Sequence, residues 1–546
     1  MQRAFSILLD ILFWVTAAIY TLGGVHIQGK LKLTYVHDLW VACAISAIFF
    51  RLLFQIRFRD TSFGKSLFEA AEKIRAIFLR QTGESAHSLS RGGWLVLIII
   101  GYSLALYFIV PILSYWSYGN NIFDLGIIEN AVYNASQTGH FSTYLLSDGV
   151  TPLQYVPHNH LNLGLIFFAG LYRFFPSAEV LLFFQSLVLI LAIIPVFKLG
   201  QLILPKELPS WWAVAFYLLW DPIYRMNSWD FHETPFIVLF CFWALYFIEA
   251  KRFWPALLSM LLMAIWREDA WWIFAGLSLY MGIRTQRWRL CIPLTLMGFV
   301  LFPLHFAFLN HVNALGDRYG YLGHDFRSAL QTVLHDPFVF FKVAWANREF
   351  FIRLVLSSGG GLFLLGKWSL LPAVFPVAEV GLAQHEGMLS WLNHYVGSFT
   401  APLLAATLYG WSQLYAWSLK REFPFEKFES LIGISLAIAL TQLSFSLPGA
   451  LRIGLDRFRD TRCFEEIRNE IPPDAPLLAD SIFGARSTHR EWLMMPNLAV
   501  DQTRAQYLVS ADPAAMGVGL SGLHKVTPWE VVSRRCGYYL ARRSQK

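Results

Sequence analysis

Long apolar runs, separated by short polar or aromatic stretches, recur from residue 7 to residue 447. A helix that crosses a bilayer needs about 20 consecutive apolar residues. Several runs are shorter, as is typical of helices that are kinked or line a cavity inside the protein. The pattern predicts an all-α polytopic membrane protein with about 13 transmembrane helices. The predicted spans are residues 7–24, 38–56, 93–113, 178–198, 211–226, 235–250, 254–267, 270–284, 290–310, 351–366, 369–384, 400–418 and 428–447.

Two regions depart from this pattern. Residues 161–175 are apolar, but a full crossing there would invert every later span, so we expect a short re-entrant or juxtamembrane helix. From residue 449 to 546, charge and proline increase, and apolar residues gather in short strand-like runs such as AQYLV. These features indicate a small external α/β domain. Cys463 and Cys536 both fall there, and their pairing in an oxidising compartment is left open.

Composition and charge support a membrane protein and suggest its orientation. The chain is 56% hydrophobic and 15% charged, whereas soluble proteins carry about 25% charged residues. A net charge of +7 is modest and gives no reason to expect nucleic-acid binding. Loops rich in lysine and arginine stay in the cytoplasm, and the basic loops here are 57–92, 251–252, 284–289 and 420–421. The segments predicted outside are 114–160, 227–234, 311–350, 385–399 and the C-terminal domain.

The most conspicuous acid is Asp124, in YGNNIFDLGIIENAVYN, directly after the span 93–113. A carboxylate in an external loop is usually only solvated. Its interpretation changes because other polar residues are predicted at similar depth, at helix ends on the same side of the membrane. These residues are Glu129, His158, His160, His232, Glu233, Arg267, Glu268, Asp269, Tyr319, Tyr321, His394 and Tyr395.

Arg267, Glu268 and Asp269, in WREDAWW, are the hardest of these to explain as structural. Ionisable groups at membrane depth are costly and by default mark a polar cavity or functional site. His158 and His160, in PHNHLN, are either interfacial hydrogen-bonding residues or weak candidates for metal ligands, because no third ligand follows at a fixed spacing. The tyrosines could equally be interfacial aromatics. Together the residues predict a polar pocket that opens outward and suits a substrate with an apolar tail and a polar head.

Six motifs occur in a fixed order: NNIFDLGIIENAVYN, PHNHLNLGLIFFAGLYRFF, FHETP, WREDAWW, RYGYLG and LNHYVGSFTAPLL. In this order they resemble the DUF2079 family of predicted bacterial and archaeal membrane proteins, over roughly residues 93–510. That family often has lysine where Arg267 stands, and FHPE in place of FHET, so Glu233 lies one position before the family's acid. Of the two histidines, only His158 matches the family pattern. DUF2079 in turn resembles the GT-C glycosyltransferases.

The hydropathy pattern and the resemblance together imply a domain organisation. Residues 1–92 would form two N-terminal transmembrane helices and a cytoplasmic amphipathic segment. Residues 93–448 would form a GT-C-like transmembrane core with a catalytic external loop at 114–160, and residues 449–546 an extracytoplasmic domain. The protein would be a multi-pass protein of the cell membrane.

The resemblance also implies an activity. The enzyme would move a hexosyl or pentosyl group, with inversion, from a polyprenyl-phosphate-linked donor to an envelope glycan, lipid or protein. Asp124 would act as general base, with Arg267, Glu268 and Asp269 in the catalytic set. The substrate-binding residues would be His158, His160, His232, Glu233, Tyr319, Tyr321, His394 and Tyr395. No cofactor is required, although a divalent metal is compatible with the scheme. A transporter or flippase of a lipid-linked or polar solute is the main alternative, and a noncatalytic scaffold is another.

Overall fold

A computed structural model gives the fold. It describes residues 107–147, 149–158, 160–206, 208, 210–308, 318–323, 326–391, 393–420, 461–496, 503–511 and 529–544. The predicted spans 7–24, 38–56 and 428–447, most of 93–113 and the basic loop 57–92 lie outside these residues. The described chain is mostly helical with a small sheet near the C terminus, as predicted.

The α-helices are Tyr107–Trp116 (α1), Ile127–Thr138 (α2), Tyr155–His158 (α3), Leu165–Tyr172 (α4), Ala178–Leu191 (α5), Ile193–Ile203 (α6), Trp211–Leu219 (α7), Asp221–Ser228 (α8), Thr234–Glu249 (α9), Phe253–Ala264 (α10), Ala270–Thr285 (α11), Trp288–Phe308 (α12), Phe326–His335 (α13), Val339–Ala346 (α14), Arg348–Ser357 (α15), Leu371–Gly381 (α16), Glu386–Leu389 (α17), Thr400–Lys420 (α18), Thr461–Asn469 (α19) and Ser481–Gly484 (α20). The strands are Ser142–Thr143 (β1), Leu153–Gln154 (β2), Leu477–Ala479 (β3), Leu493–Met494 (β4), Tyr507–Ser510 (β5), Trp529–Arg535 (β6) and Tyr538–Arg543 (β7). A π-helical turn spans Ile122–Gly126, and 3₁₀ segments span Gly320–Leu322, Leu362–Leu370 and His394–Phe399.

Two helical stretches among the described residues are long and apolar enough to cross a membrane: Ala178–Ile203 and Leu362–Gly381. Shorter apolar helices include α9, α10 and the first part of α12. The predicted total of about 13 spans therefore stays a prediction. In the region 161–175, α4 has eight residues. At 1.5 Å per residue it is about 12 Å long, too short to cross a bilayer core of about 30 Å.

Two predicted spans are not single continuous helices in the structure. The predicted span 211–226 is divided at Trp220 into α7 and α8. Pro222 lies in the first turn of α8, the position in a helix where proline is favoured. Within the predicted span 351–366, helix α15 ends at Ser357. The chain then turns through Gly359, Gly360 and Gly361, whose φ angles are positive, between 74° and 83°. Glycine adopts that left-handed backbone without a steric penalty. The continuous apolar stretch begins after these glycines, at Leu362.

Helix α9 lies at the centre of the bundle and packs against α5, α6, α10, α11 and α18. Close approach elsewhere depends on glycine. A Cβ at Gly276 would lie 2.6 Å from the Cα of Pro372, and a Cβ at Gly410 would overlap the carbonyl oxygen of Leu362. Small residues at such crossings let helix backbones approach closely, which is how helices associate in membranes.

The C-terminal residues form a five-stranded sheet in the order β4-β3-β5-β7-β6. Strand β3 is parallel to β4 and β5, whereas β5–β7 and β6–β7 are antiparallel. The strand predicted from AQYLV is present as β5. The β6–β7 hairpin was not predicted. Cys463 of α19 and Cys536 of the hairpin turn form a disulfide, with their Cα atoms 6.3 Å apart.

Candidate functional site: a polar network at helix ends

Asp124 lies in the π-helical turn Ile122–Gly126, hereafter the Asp124 turn. Asn121 caps this turn: its Oδ1 accepts from the Asp124 backbone N–H at 3.0 Å, and its Nδ2 donates to Asp124 Oδ2 at 2.8 Å. Asparagine is favoured at such caps because its short side chain reaches the free backbone N–H groups. The carboxylate is therefore held in one orientation, with about a quarter of its side-chain surface exposed (26%).

Two residues between α8 and α9 contact the same carboxylate. Trp229 Nε1 donates to Asp124 Oδ2 at 3.2 Å, and His232 Nε2 lies 3.4 Å from Asp124 Oδ1. His232 Nδ1 is 3.0 Å from the carbonyl oxygen of Asp230 and must donate to it. A histidine that donates from both ring nitrogens is protonated. Asp124 and His232 thus form an ion pair.

The pKa values follow from these contacts. Burial alone would raise the pKa of Asp124, but the hydrogen bond and charge of His232, with the bonds from Asn121 and Trp229, lower it to about 2. Burial acts to lower the pKa of His232, yet Asp124 outweighs it, and the pKa of His232 is raised. Each group therefore stabilises the charged form of the other.

Asp230 is a second buried acid beside the Asp124 turn, and sequence reasoning did not single it out. Its Oδ2 accepts from the backbone N–H of Asn121 at 2.9 Å, and its Oδ1 accepts from Asn120 Nδ2. Burial raises the pKa of Asp230 to about 7, and the charge of Asp124 acts in the same direction. Asp230 thus holds the chain just before the Asp124 turn. The only sequence signal was its position two residues before His232 in WDFHETP.

A row of ring contacts leads from Asp124 toward Arg267. The His232 and His394 rings stack with centroids 3.5 Å apart, and His394 lies 4.2 Å from the Tyr395 ring. The Arg267 guanidinium carbon lies 5.7 Å from the Tyr395 centroid, within cation–π range. Residues that are distant in sequence therefore meet where four segments end: the Asp124 turn, the α8–α9 loop, the α10–α11 turn and the segment before α18.

Arg267, Glu268 and Asp269 form the α10–α11 turn, and all three are buried. Arg267 pairs with Asp269 at 2.9 Å, and Glu268 Oε1 lies 2.7 Å from His160 Nδ1. Several of their polar atoms find no hydrogen-bond partner within the described part of the chain: Arg267 Nε, Glu268 Oε2, Asp269 Oδ1 and, nearby, His394 Nδ1. Buried polar atoms are normally hydrogen-bonded. A polar ligand bound beside this network could form hydrogen bonds with these four atoms.

Other predicted site residues have structural partners. Glu233 Oε1 accepts from Asn162 Nδ2 at 2.6 Å and from the Tyr155 hydroxyl at 3.3 Å. The hydroxyls of Tyr319 and Tyr321 donate to the backbone carbonyls of Glu379 and Leu382.

His158 lies in α3, but its side chain is outside the described residues. Among the side chains that are described, no group of three or more His, Cys, Asp or Glu could hold a metal ion. His160, the other weak metal candidate, contacts Glu268 instead. Glu129, which was grouped with Asp124 from sequence, faces the C-terminal domain: it accepts from Thr488 Oγ1 at 2.7 Å and pairs with His489 at 3.0 Å.

A mostly helical chain in which buried ionisable residues meet at the ends of apolar helices is typical of a membrane protein with a polar site. The family model DUF2079, described as a predicted membrane protein, matches residues 113–511. This is well over half of the chain, so the protein belongs to DUF2079, and the resemblance seen in its motifs is confirmed.

No significant match is found among curated proteins. A solved structure of ArnT from Cupriavidus metallidurans, bound to undecaprenyl phosphate, is similar to this chain. The two are 12% identical, with a TM-score of 0.45, and the likeness covers 82% of this chain and 98% of that one. At this identity and score, the likeness supports no inference about chemistry.

Proposed function

We propose that this protein is a GT-C-type membrane glycosyltransferase that moves a sugar, with inversion, from a polyprenyl-phosphate donor to an extracytoplasmic acceptor. The observation that carries the proposal is the continuous network from Asp124 through His232, His394 and Tyr395 to Arg267. A carboxylate stands at one end of it and a buried guanidinium at the other. An acceptor hydroxyl and a donor phosphate need these two kinds of group.

The direction of the helices supports an extracytoplasmic site. Helices α9, α11 and α18 all begin near the network, directly after Glu233, Asp269 and Phe399. Their other ends lie at the basic positions 251–252, 284–289 and 420. Basic residues at helix ends favour the cytoplasm, and this supports a position of the network on the opposite side. The division into an N-terminal pair of spans (1–92), a core (93–448) and an external domain (449–546) belongs to the same proposal.

In the proposed reaction, the acceptor oxygen bonds to the anomeric carbon while the bond from that carbon to the phosphate oxygen breaks. The phosphate leaves with the bonding electrons, and Asp124 takes the hydroxyl proton. A carboxylate with a pKa of about 2 is a weak base for a free hydroxyl. Glycosyl transfer has an oxocarbenium-like transition state, and the acceptor oxygen becomes strongly acidic once it bonds to that centre. A weak base held in place is then sufficient.

The α10–α11 turn would serve the leaving group and the sugar. Arg267 Nε has no partner among the described residues and could donate to a phosphate oxygen, as a preorganised donor in a water-poor site. The free oxygens of Glu268 and Asp269 could accept from sugar hydroxyls. His160 orients Glu268. Tyr319 and Tyr321 would contribute ring faces, because their hydroxyls are engaged by the backbone. No step of this scheme depends on a metal ion.

The test is reconstitution of the full chain in liposomes that contain radiolabelled lipid-linked sugars extracted from the source membranes, with and without envelope acceptor material. Glycosyl transfer predicts that labelled acceptor and sugar-free polyprenyl phosphate appear together, only when acceptor is present. Movement of intact lipid-linked sugar between leaflets, with no bond broken, would replace the proposal with the flippase alternative.

A further inference from the structure

We infer that the C-terminal domain positions the Asp124 carboxylate, through direct contacts of Ser481 and Gly484 with the Asp124 turn. This inference rests on the proposed function only for its consequence for activity. The contacts themselves join residues about 360 positions apart in sequence, since Ile122 and Ser481 are separated by 359.

The contact is close and includes one hydrogen bond. The backbone N–H of Ile122 donates to Ser481 Oγ at 3.2 Å. Gly484 lies against the Ile122 side chain: a Cβ at Gly484 would overlap Ile122 Cδ1 and lie 3.1 Å from Cγ1. At the other end of the turn, a Cβ at Gly126 would lie 3.6 Å from the Cα of Ala485. Helix α20 therefore follows the turn along its length.

The chain on both sides of the turn is held by the same domain. Before it, the Tyr118 hydroxyl donates to Glu465 Oε1 at 2.9 Å. After it, Asn130 Nδ2 donates to the carbonyl oxygens of Thr488 and Arg490 at 2.7 and 2.9 Å. These anchors fix the domain relative to the turn. Because Ile122 is fully buried, its side chain has little room to turn away from a methyl group added at Gly484.

The Asp124 turn is thus held between two partners. Asp230, Trp229 and His232 hold it from the transmembrane core. Ser481 and Gly484 hold it from the domain. A displacement from the domain side changes the distance between Asp124 and His232. Ser481 and Gly484 are positioning residues, because they act through the Asp124 turn that they contact.

The test uses Gly484→Ala in the full chain, with the double variant Gly484→Ala/Ile122→Val as rescue. The added methyl in Gly484→Ala meets Ile122 Cδ1, and Ile122→Val deletes that methyl. Gly170→Ala is the matched control, because a Cβ at Gly170 meets nothing within 4 Å. Misplacement of a catalytic group by about 1 Å can cost about 100-fold in rate. We expect kcat of Gly484→Ala to fall about 10-fold or more with KM within about 2-fold, and the double variant to recover most of it.

Amide hydrogen exchange of the same detergent-solubilised proteins gives a readout that needs no activity. We expect faster exchange in peptides covering 120–128 in Gly484→Ala, with slow exchange restored in the double variant and no change in Gly170→Ala. Unchanged exchange at 120–128 in a folded Gly484→Ala protein overturns the inference. If the wild-type protein transfers no sugar, the proposed function fails, while the exchange experiment still decides whether the domain holds the turn.

Discussion

Replacing Asp124 by asparagine is the most direct perturbation of the proposed chemistry, and the structure indicates that the fold will tolerate it. The amide oxygen can accept the bonds that Asn121 Nδ2 and Trp229 Nε1 now make to Oδ2. The amide NH₂ then faces His232 Nε2. Without the carboxylate, His232 loses the partner that raises its pKa. It becomes neutral and accepts from the new amide, while Nδ1 still donates to Asp230.

The expected size of the effect follows from this exchange of one paired arrangement for another. A charged pair becomes a neutral hydrogen-bonded pair, so the free energy of unfolding should fall by about 2 kcal/mol, the stability that the lowered pKa of Asp124 represents. The loss of a general base should lower kcat by about 10²- to 10⁴-fold. This corresponds to about 3–5 kcal/mol of transition-state stabilisation. The expected loss of transition-state stabilisation is therefore larger than the expected loss of folding stability.

The assay compares sugar transfer by wild type, Asp124→Asn and Asp336→Asn in the reconstituted liposomes described above. Asp336 is a matched acid-to-amide control: it precedes α14, pairs with the exposed Lys342, and has no contact with the network. Thermal unfolding in detergent is measured on the same preparations. An Asp124→Asn protein that retains more than half of wild-type transfer would show that the carboxylate is not the base. A large loss of stability would instead show that the Asp124–His232 pair is structural.

Three further predictions concern buried charge and the disulfide. The pKa of Asp230 in the folded protein, about 7, lies above its value in the unfolded chain. The free energy of unfolding of the wild type should therefore fall by on the order of a few kcal/mol as the pH rises from about 4 to 8. Thermal unfolding of Asp230→Asn should show a weaker dependence on pH. Arg267→Gln should lower the free energy of unfolding by about 3–5 kcal/mol, because Asp269 is left buried without its partner, whereas Arg267→Lys should cost much less. Replacing Cys463 and Cys536 together by serine should cost about 2–4 kcal/mol, and equal denaturation midpoints would contradict it.

Local sequence patterns were sufficient to identify the class of protein and to predict several residues of the candidate site. The apolar runs predicted the helices from 178 to 420 to within a few residues in most cases, because a helix that contacts lipid must be apolar along its length. The high cost of ionised groups at membrane depth singled out Arg267, Glu268 and Asp269, which are buried at a helix end. The breaks within the predicted spans 211–226 and 351–366 have local signals in the sequence, Pro222 in the first case and Gly359–Gly361 in the second.

Local sequence patterns did not predict which residues of the candidate site contact one another. Trp229 and Asp230 were not predicted as site residues, because a tryptophan and an acid near a helix end are common in membrane proteins. Their role depends on Asn121 and Asp124, which lie more than 100 positions earlier. The sequence predicted a binding role for Glu233 and the two tyrosines, and only the structure shows that their polar atoms bond to Asn162 and to backbone carbonyl oxygens.

The sequence by itself determined that the chain is a helical membrane protein of DUF2079, that an acid follows an early apolar run, and that a charged turn lies between two later ones. These are properties of residues adjacent in the chain, and hydrophobicity with backbone preference is enough to specify them. Only the tertiary structure decided that His232 pairs with Asp124, that His394 and Tyr395 connect the pair to Arg267, and that Ser481 and Gly484 touch the Asp124 turn. Such contacts depend on how whole helices and the C-terminal sheet pack, and no local pattern specifies which distant loops will meet.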